Sequence, residues 1–502
     1  MMYISTRGNH EPVTASMAIR LGMVPRGGLF VPERIPVFTP EQLEALRGKS
    51  YPAVAQQLIS PYLDDYSDNE ITACLNWAYN EHNFSHPRIA PLYHLHDKIH
   101  LLELWHGPTA AFKDMALQLM PHLLSQALEK GEGRDELVIL VATSGDTGKA
   151  ALEGFSDVPG IRIIVFYPSG GVSRVQELQM TTTMGANTYV VAVRGNFDDC
   201  QAAVKDIFAD RQMENRLGEN GFALSSANSI NWGRLLPQIV YYFWAWLQLT
   251  EQEGHGDAPP EPINIVVPTG NFGNILAAWY AWKMGLPVKK LICASNENRV
   301  LTDFFQSGIY DSNREFHRTS SPSMDILVSG NLERLLFAIS GNDANRTQHW
   351  MDELKKNGVF QVDAATRQSL DRIIHAGCAG ELETRGTICE TYAKYGYLLD
   401  THTAVGLSVY NKYRAETADT VPAIIAATAS PFKFSSSVLG ALRGEEKPGG
   451  MDEFATLKEL SRLSGAPVHP ALQDLQRKTV RHNLTCGKDE IGRTILEILS
   501  GR

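Results

Sequence analysis

Cysteine is scarce in this 502-residue chain, and no two of its six cysteines form a Cys-x-x-Cys pair. Their wide spacing provides no framework for disulfides or zinc, so we expect free thiols in a reducing compartment and no metal site. The six residues are Cys74, Cys200, Cys293, Cys378, Cys389 and Cys486.

Long hydrophobic runs and an excess of positive charge are also missing. The most apolar stretch, residues 239–249, is shorter than the ~20 residues that span a membrane. Residues 1–12 lack the basic-then-apolar pattern of a secretion signal. A net charge of −10 argues against general nucleic-acid binding, which needs a basic face. We therefore expect a soluble cytoplasmic protein that binds neither membranes nor nucleic acids. The sequence leaves open whether the protein is a monomer or a homodimer.

The apolar residues that are present alternate between strand-like and helix-like patterns. From about residue 99, short β-branched runs are separated by segments of helical length, which predicts an α/β fold with parallel sheets covered on both faces. The predicted strands are residues 137–142, 161–167, 188–193, 263–267, 290–294 and 423–427.

The chain length corresponds to about three domain-sized units. Residues 1–95 are predicted to form a helical N-terminal domain, with Thr39 capping a helix that has Pro40 in its first turn. Residues 96–245 are predicted to form a smaller α/β domain, and residues 246–502 a larger one that ends in helices. The polar segments 250–262 and 443–450 are predicted linkers.

Three predicted strands end in loops rich in glycine and hydroxyl residues, where ligands of parallel sheets usually bind. After residues 263–267, the loop GNFGN leads into a helix whose free N–H groups can bind a phosphate without any lysine. The alternative to a phosphate site is a glycine turn that only connects the strand to the helix. The five loop residues are Gly270, Asn271, Phe272, Gly273 and Asn274.

The other two loops offer hydroxyl groups. After residues 137–142 come Ser144, Asp146 and Thr147, where the carboxylate could cap a helix or steer a polar ligand atom. After residues 423–427, Thr428 and Ser430 could donate to a heterocycle at the sheet edge.

Lys113 is the candidate nucleophile. It follows Phe112 and precedes an apolar-periodic helix, with Asp114 as the expected N-cap. Loss of hydration and the positive end of a helix both favour a neutral amine, which attacks an aldehyde to form a Schiff base. Together with the phosphate-binding loop and a hydroxyl at a strand end, this lysine meets the requirements of pyridoxal 5'-phosphate (PLP).

At these positions the chain resembles the threonine synthase family, which are fold-type II PLP enzymes. The combination of HGPT-x-x-FKD, SGDTG and GNFG is highly specific for this family. The matching stretches run in the family's order and are STRG (5–8), GGLFVP (27–32), HGPTAAFKD (106–114), ATSGDTG (142–148), VQELQMTT (175–182), SANSINWGR (226–234), VPTGNFGN (267–274), KMGLPVKKL (283–291), SPSMDILVSGNLERLL (321–336) and ATASPFKF (427–434).

The resemblance implies two doubly wound parallel-sheet domains behind a helical N-terminal domain. It implies conversion of O-phospho-L-homoserine and water to L-threonine and phosphate, the last step of threonine biosynthesis. In that reaction Lys113 would carry the cofactor and act as base. Asp146, the residues of GNFGN and Thr428 would also contact the cofactor. The residues implied in binding the substrate are Ser144, Thr147, Ser229, Asn231 and Arg234.

The chain departs from the common family pattern at four positions, Gly171, Arg174, Asn274 and Ser430. Two alternative functions use the same residues. One is a phospho-lyase that forms 2-oxobutyrate from phosphohomoserine, and the other is a catalytically silent PLP-binding regulatory protein. A metal site formed by His94, His96, His100 and His106 is a third, weaker hypothesis.

Overall fold

The computed structural model of the chain describes residues 1–131, 135–143, 145–252, 261–445 and 449–501. Its strands are β1 Tyr3–Ser5, β2 Phe30–Pro32, β3 Leu92–His96, β4 Ile99–Glu103, β5 Glu136–Ala142, β6 Ile161–Pro168, β7 Thr188–Arg194, β8 Phe222–Ser225, β9 Ile263–Pro268, β10 Val288–Ser295, β11 Ile309–Asp311, β12 Val359–Gln361, β13 Ile374–Cys378, β14 Ala423–Ala427 and β15 Leu484–Gly487.

The helices fill the segments between the strands, and four of them lie within the first 80 residues. They are α1 Ala15–Leu21, α2 Pro40–Glu44, α3 Tyr51–Ile59, α4 Asp68–Ala78, α5 Asp114–Leu117, α6 Met120–Lys130, α7 Asp146–Phe155, α8 Arg174–Thr181, α9 Phe197–Ala209, α10 Arg211–Glu219, α11 Trp232–Gln252, α12 Gly273–Lys283, α13 Val300–Ser307, α14 Leu332–Ile339, α15 Ala344–Asn357, α16 Ala364–Ile373, α17 Glu381–Tyr395, α18 Thr401–Thr417, α19 Ser435–Arg443, α20 Glu453–Ser464 and α21 Ile491–Leu499.

Two sheets organise the molecule. The larger has six strands in the order β13-β10-β9-β14-β4-β3, all parallel to their neighbours except for the antiparallel pair β3–β4. The smaller has five parallel strands in the order β15-β7-β6-β5-β8. The α/β fold class is confirmed. Parallel strands buried on both faces explain the nearly continuous apolar runs of the sequence.

All six predicted strands are present, as β5, β6, β7, β9, β10 and β14. The strand order within each sheet differs from the order along the chain, because strands that are distant in the sequence pair with each other. The strand β4 pairs with β14, and β15 pairs with β7, so both connections cross the predicted segments. The segment boundaries at residues 95 and 245 stay a prediction.

The N-terminal helices show the predicted cap. The Thr39 hydroxyl accepts a hydrogen bond from the Gln42 amide at 3.3 Å, and the Gln42 side chain accepts one from the Thr39 amide at 2.9 Å. This reciprocal arrangement satisfies two N–H groups at the start of α2.

The aromatic stretch 239–249 lies within the buried helix α11, which packs against α3, α5 and α12. None of the helices in the described ranges is both long enough and apolar enough to cross a membrane. Parts of the two predicted linkers, residues 253–260 and 446–448, lie outside the described residues.

Candidate active site

The predicted phosphate loop lies at the carboxyl end of β9, in the larger sheet. Phe272 has the left-handed backbone conformation (φ 62°), and α12 begins at the next residue, Gly273. The carbonyl of Asn271 accepts hydrogen bonds from the Asn331 amide at 3.1 Å and the Asn331 side chain at 3.0 Å. At Gly270 an added Cβ would lie 2.4 Å from the Ser323 carbonyl oxygen, so this position has no room for a side chain. The loop is thus fixed with the first N–H groups of a helix at its end.

Asn274 supplies a polar side chain inside this loop. Its Oδ1 accepts hydrogen bonds from the hydroxyls of Tyr241, at 2.8 Å, and Tyr242. Its Nδ2 is buried and has no hydrogen-bond partner among the described residues. A buried, unsatisfied donor at a helix N-terminus fits a bound anion such as a phosphate.

The loop that carries Lys113 is tied to the end of β14. Ala111 and Ala429 form a β-bridge. The Phe112 amide donates to the Thr428 carbonyl at 2.8 Å. These bonds place Lys113 at the edge of the larger sheet, beside β14, although the two are more than 300 residues apart in the sequence.

Asp114 has a different role from the expected helix cap. The helix α5 begins at Asp114 itself, and the carboxylate accepts hydrogen bonds from the Thr109 amide at 2.9 Å and the Thr109 hydroxyl at 2.6 Å. Burial raises the pKa of Asp114 to about 6, although the Thr109 bonds oppose the rise. The carboxylate therefore shapes the HGPT turn and does not cap the helix.

The amine of Lys113 points into a largely buried cluster. Its Nζ donates to the Ser323 hydroxyl at 3.2 Å and lies 3.5 Å from Asp146 Oδ2. Burial lowers the pKa of Lys113, and the charges of Lys433 and Arg234 lower it further, while Asp146 opposes the shift. A lowered pKa favours the free amine, which is the nucleophilic and basic form.

Asp146 is the first residue of α7, and its carboxylate faces this cluster. Oδ1 lies 3.1 Å from Lys433 Nζ and accepts from the Gln176 side chain at 3.1 Å. Burial alone would raise the pKa of Asp146, but the positive charge of Lys433, and next that of Lys113 when it is protonated, holds this pKa below its usual range. The carboxylate contacts side chains from other elements, so the helix-capping alternative does not describe it.

Arg234 approaches the same cluster from α11 and influences the charge of Lys113. One of its terminal nitrogens donates to the Ala227 carbonyl at 2.7 Å. Its Nε is buried without a partner in the described part of the chain. Burial lowers the pKa of Arg234 to about 10, and a group with this unmet donor is suited to an anionic ligand.

The other predicted substrate residues differ in what their side chains already bind. Asn231 is fully buried and uses both ends of its amide, donating to the carbonyls of Ile19 and Ser226 and accepting from the Gly233 amide. Ser229 is partly exposed and offers its carbonyl to Asn331 at 3.2 Å.

Thr147 is partly exposed in the first turn of α7, beside Asp146. Ser144 lies outside the described residues. The substrate roles of Ser144, Thr147, Ser229 and Asn231 therefore stay predictions.

Two hydroxyl residues stand at the end of β14. Thr428 is buried and its carbonyl holds the Lys113 loop. The Ser430 hydroxyl is also buried, and no partner for it exists within the described ranges. The end of β14 thus carries two buried hydroxyl residues.

Sequence reasoning missed Ser323, Lys433 and His402. Both Ser323 and Lys433 occur in stretches that match the family, and Lys433 follows a phenylalanine, as Lys113 does. His402 Nε2 accepts a hydrogen bond from the Ser323 amide at 3.2 Å, so its Nδ1 carries the proton and donates to Asp400 at 3.1 Å. This pair holds Ser323 against Lys113.

The four histidines of the metal hypothesis do not converge. His94 and His100 form a ring contact with centroids 5.0 Å apart, whereas His106 binds Glu103 at 2.7 Å. Within the described residues, no group of three or more His, Cys, Asp or Glu side chains is placed to hold a metal ion.

Comparison with known proteins identifies the family. The profile of the family described as "Pyridoxal-phosphate dependent enzyme" matches residues 85–426. Two further profiles, "Threonine synthase N terminus" and "Threonine synthase, C-terminal", match residues 2–79 and 403–475.

Individual relatives agree with these profiles. Threonine synthase of Pseudomonas aeruginosa is 40% identical over 439 residues, which cover 87% of this chain and 90% of that protein. Threonine synthase-like 1 of Homo sapiens is 41% identical over 441 residues, which cover 86% of this chain but 58% of that longer protein.

A solved structure extends the likeness to the fold. The crystal structure of PLP-bound threonine synthase from Brucella melitensis matches with a TM-score of 0.88 and 36% identity, covering 100% of this chain and 99% of that chain. Similarity of this extent shows the family, and the buried lysine, the predicted phosphate loop and the strand-end hydroxyls fit PLP. The chain therefore belongs to the threonine synthase family of fold-type II, PLP-dependent enzymes.

Proposed function

We propose that this protein converts O-phospho-L-homoserine and water to L-threonine and inorganic phosphate, as a cytoplasmic monomer or homodimer. The observation that carries the proposal is the cluster around Lys113. A buried amine with a lowered pKa lies near Arg234, whose Nε donor is unmet within the described residues. One buried cluster would thus combine a base with a group that binds the substrate phosphate.

The loop at the start of α12 supports a site for the cofactor phosphate. Its N–H groups and the Asn274 Nδ2 would bind that phosphate. By resemblance to the family, the Thr428 hydroxyl would meet the ring nitrogen. When bound, PLP supplies an aldehyde that captures amines and a ring that draws electrons from the α carbon.

The protein's own groups would perform the proton transfers and hold the leaving group. Lys113 Nζ, as the free amine, accepts the α proton of the substrate and can return it at a neighbouring carbon. Arg234 binds the substrate phosphate and stabilises its charge as it departs from the γ carbon. Burial of the cluster keeps water from competing for these charged groups.

Lys113→Ala tests the role of Lys113. The purified protein resupplied with PLP should show an absorbance band at about 410–430 nm, as expected for PLP bound to a lysine. The variant should lack that band. A band that persists in Lys113→Ala would refute this assignment.

Product analysis tests the reaction. With O-phospho-L-homoserine the protein should release threonine and phosphate in equal amounts. Formation of 2-oxobutyrate would instead establish a phospho-lyase, and no phosphate release would indicate a silent PLP-binding protein.

A further inference from the structure

A second buried lysine lies beside Lys113. Lys433 follows β14 in the short turn Pro431–Phe434, and its side chain is 1% exposed. Its Nζ donates to the Thr109 carbonyl at 2.9 Å and lies 3.1 Å from Asp146 Oδ1. A lysine is seldom buried to this extent without a specific partner, and here the charged partner is Asp146.

Asp146 lies between the two lysines. Its Oδ1 faces Lys433, and its Oδ2 lies 3.5 Å from Lys113 Nζ. A buried carboxylate next to an amine favours the protonated amine, because opposite charges stabilise each other in a site shielded from water. If Lys113 were the only amine beside this carboxylate, Asp146 would stabilise the protonated form of Lys113.

The charged groups around Lys113 come from three elements. Asp146 lies on α7, Lys433 lies in the turn after β14 and Arg234 lies on α11. The Asp114 carboxylate raises the pKa of Arg234, and the charge of Lys433 lowers the pKa of Asp114. Two cations and one anion therefore act directly on Lys113, and the cation in contact with the anion is Lys433.

We propose that Lys433 is a positioning residue that offsets the charge of Asp146 and so leaves Lys113 Nζ as the free amine that captures PLP. This inference rests on the proposed role of Lys113. Capture joins the lysine nitrogen to the aldehyde carbon and releases the aldehyde oxygen as water with both amine protons. No other reactant is required.

The pH dependence of PLP uptake tests the inference. The protein stripped of cofactor is mixed with PLP over a range of pH, and the rate at which the band at about 410–430 nm appears is recorded. In Lys433→Gln the pH midpoint of this rate should rise by about one unit, which lowers the rate about tenfold at pH values below the midpoint. Lys433→Arg keeps the charge and should stay close to the parent protein.

Lys149→Gln is the matched control. Lys149 is also largely buried and lies on α7, but it pairs with Glu153 and donates to the Thr183 hydroxyl. Its removal should leave the midpoint unchanged. An unchanged midpoint in Lys433→Gln would overturn the inference, even if Lys113→Ala abolishes the band and the role of Lys113 stands.

Two further variants keep the test decisive if Lys433→Gln does not fold. Asp146→Asn should lower the midpoint, and Asp146→Asn combined with Lys433→Gln should bring it back towards the parent value. Identical midpoints in these two variants would show that the charge of Lys433 does not act on Lys113.

Discussion

At the scale of single residues, the site brings together charged groups that are expensive to bury separately. Lys113, Asp146 and Lys433 are within ion-pair distance, and each is largely removed from water. Such clusters persist because each charge has a partner, and removing one member leaves the others uncompensated. Arg234 differs, because its Nε has no partner in the described ranges.

Arg234→Lys tests whether the Nε donor of Arg234 binds the substrate phosphate. Lysine keeps the charge but loses the planar fork that binds phosphate through two nitrogens. We expect kcat/KM for O-phospho-L-homoserine to fall about 10- to 100-fold, in line with the loss of one or two charge-assisted hydrogen bonds. The PLP band should remain. Unchanged kcat/KM would assign Arg234 a purely structural role.

The site residues that could be predicted are those with a distinctive pattern in the sequence directly around them. Lys113 has distinctive neighbours, and GNFGN follows a clear strand. Ser323 and Lys433 could not be placed, because their importance arises from contacts with Lys113 and Asp146 far away in the chain. The side chain of Asn231 has the right type for a ligand contact, but its hydrogen bonds go to the surrounding backbone.

At the scale of secondary structure, the contact between α5 and α7 sets the geometry of the cluster. Lys113 precedes α5, and Asp146 begins α7. The two helices meet at Gly154, where an added Cβ would lie 1.8 Å from the Leu117 carbonyl oxygen. A glycine at this point allows the helix backbones to approach closely.

Gly154→Ala should separate the two helices. We expect a loss of about 1–3 kcal/mol in the free energy of unfolding from overpacking. Gly386→Ala in α17 is the control, because nothing among the described residues lies within 4 Å of the added Cβ. That change should stabilise the helix by up to about 1 kcal/mol. Equal melting temperatures for both variants would contradict the argument.

A strand could be predicted where its own sequence contains a continuous apolar run. The strands β5 to β7, β9, β10 and β14 have apolar cores and were predicted from them. The strands β13 (IHAGC) and β15 (LTCG) were not predicted, because each is short and interrupted by glycine or polar residues. Pairing with a neighbouring strand, not local preference, makes them strands.

At the scale of the whole molecule, buried histidines make stability depend on pH. His100 lies within the six-stranded sheet, and burial together with the nearby His94 lowers its pKa to about 4, from 6.5. Between these values the unfolded chain binds a proton that the folded protein does not, so stability falls as the pH falls. The loss from His100 amounts to at most about 3 kcal/mol.

His100→Gln should reduce this dependence. Urea unfolding at pH 7 and pH 5 should show a smaller difference in the free energy of unfolding for the variant than for the parent protein. Equal pH dependence in both proteins would show that His100 does not contribute.

The pairing of β4 with β14 also has a consequence for protein synthesis. Residues 99–103 leave the ribosome long before residues 423–427, to which they pair. At about 5–20 residues per second, the nascent chain exposes an incomplete sheet for tens of seconds. The bridge between Ala111 and Ala429 forms later still, and it places Lys113 at the sheet edge. We therefore expect the Lys113 loop to reach its final position only after most of the chain has been synthesised.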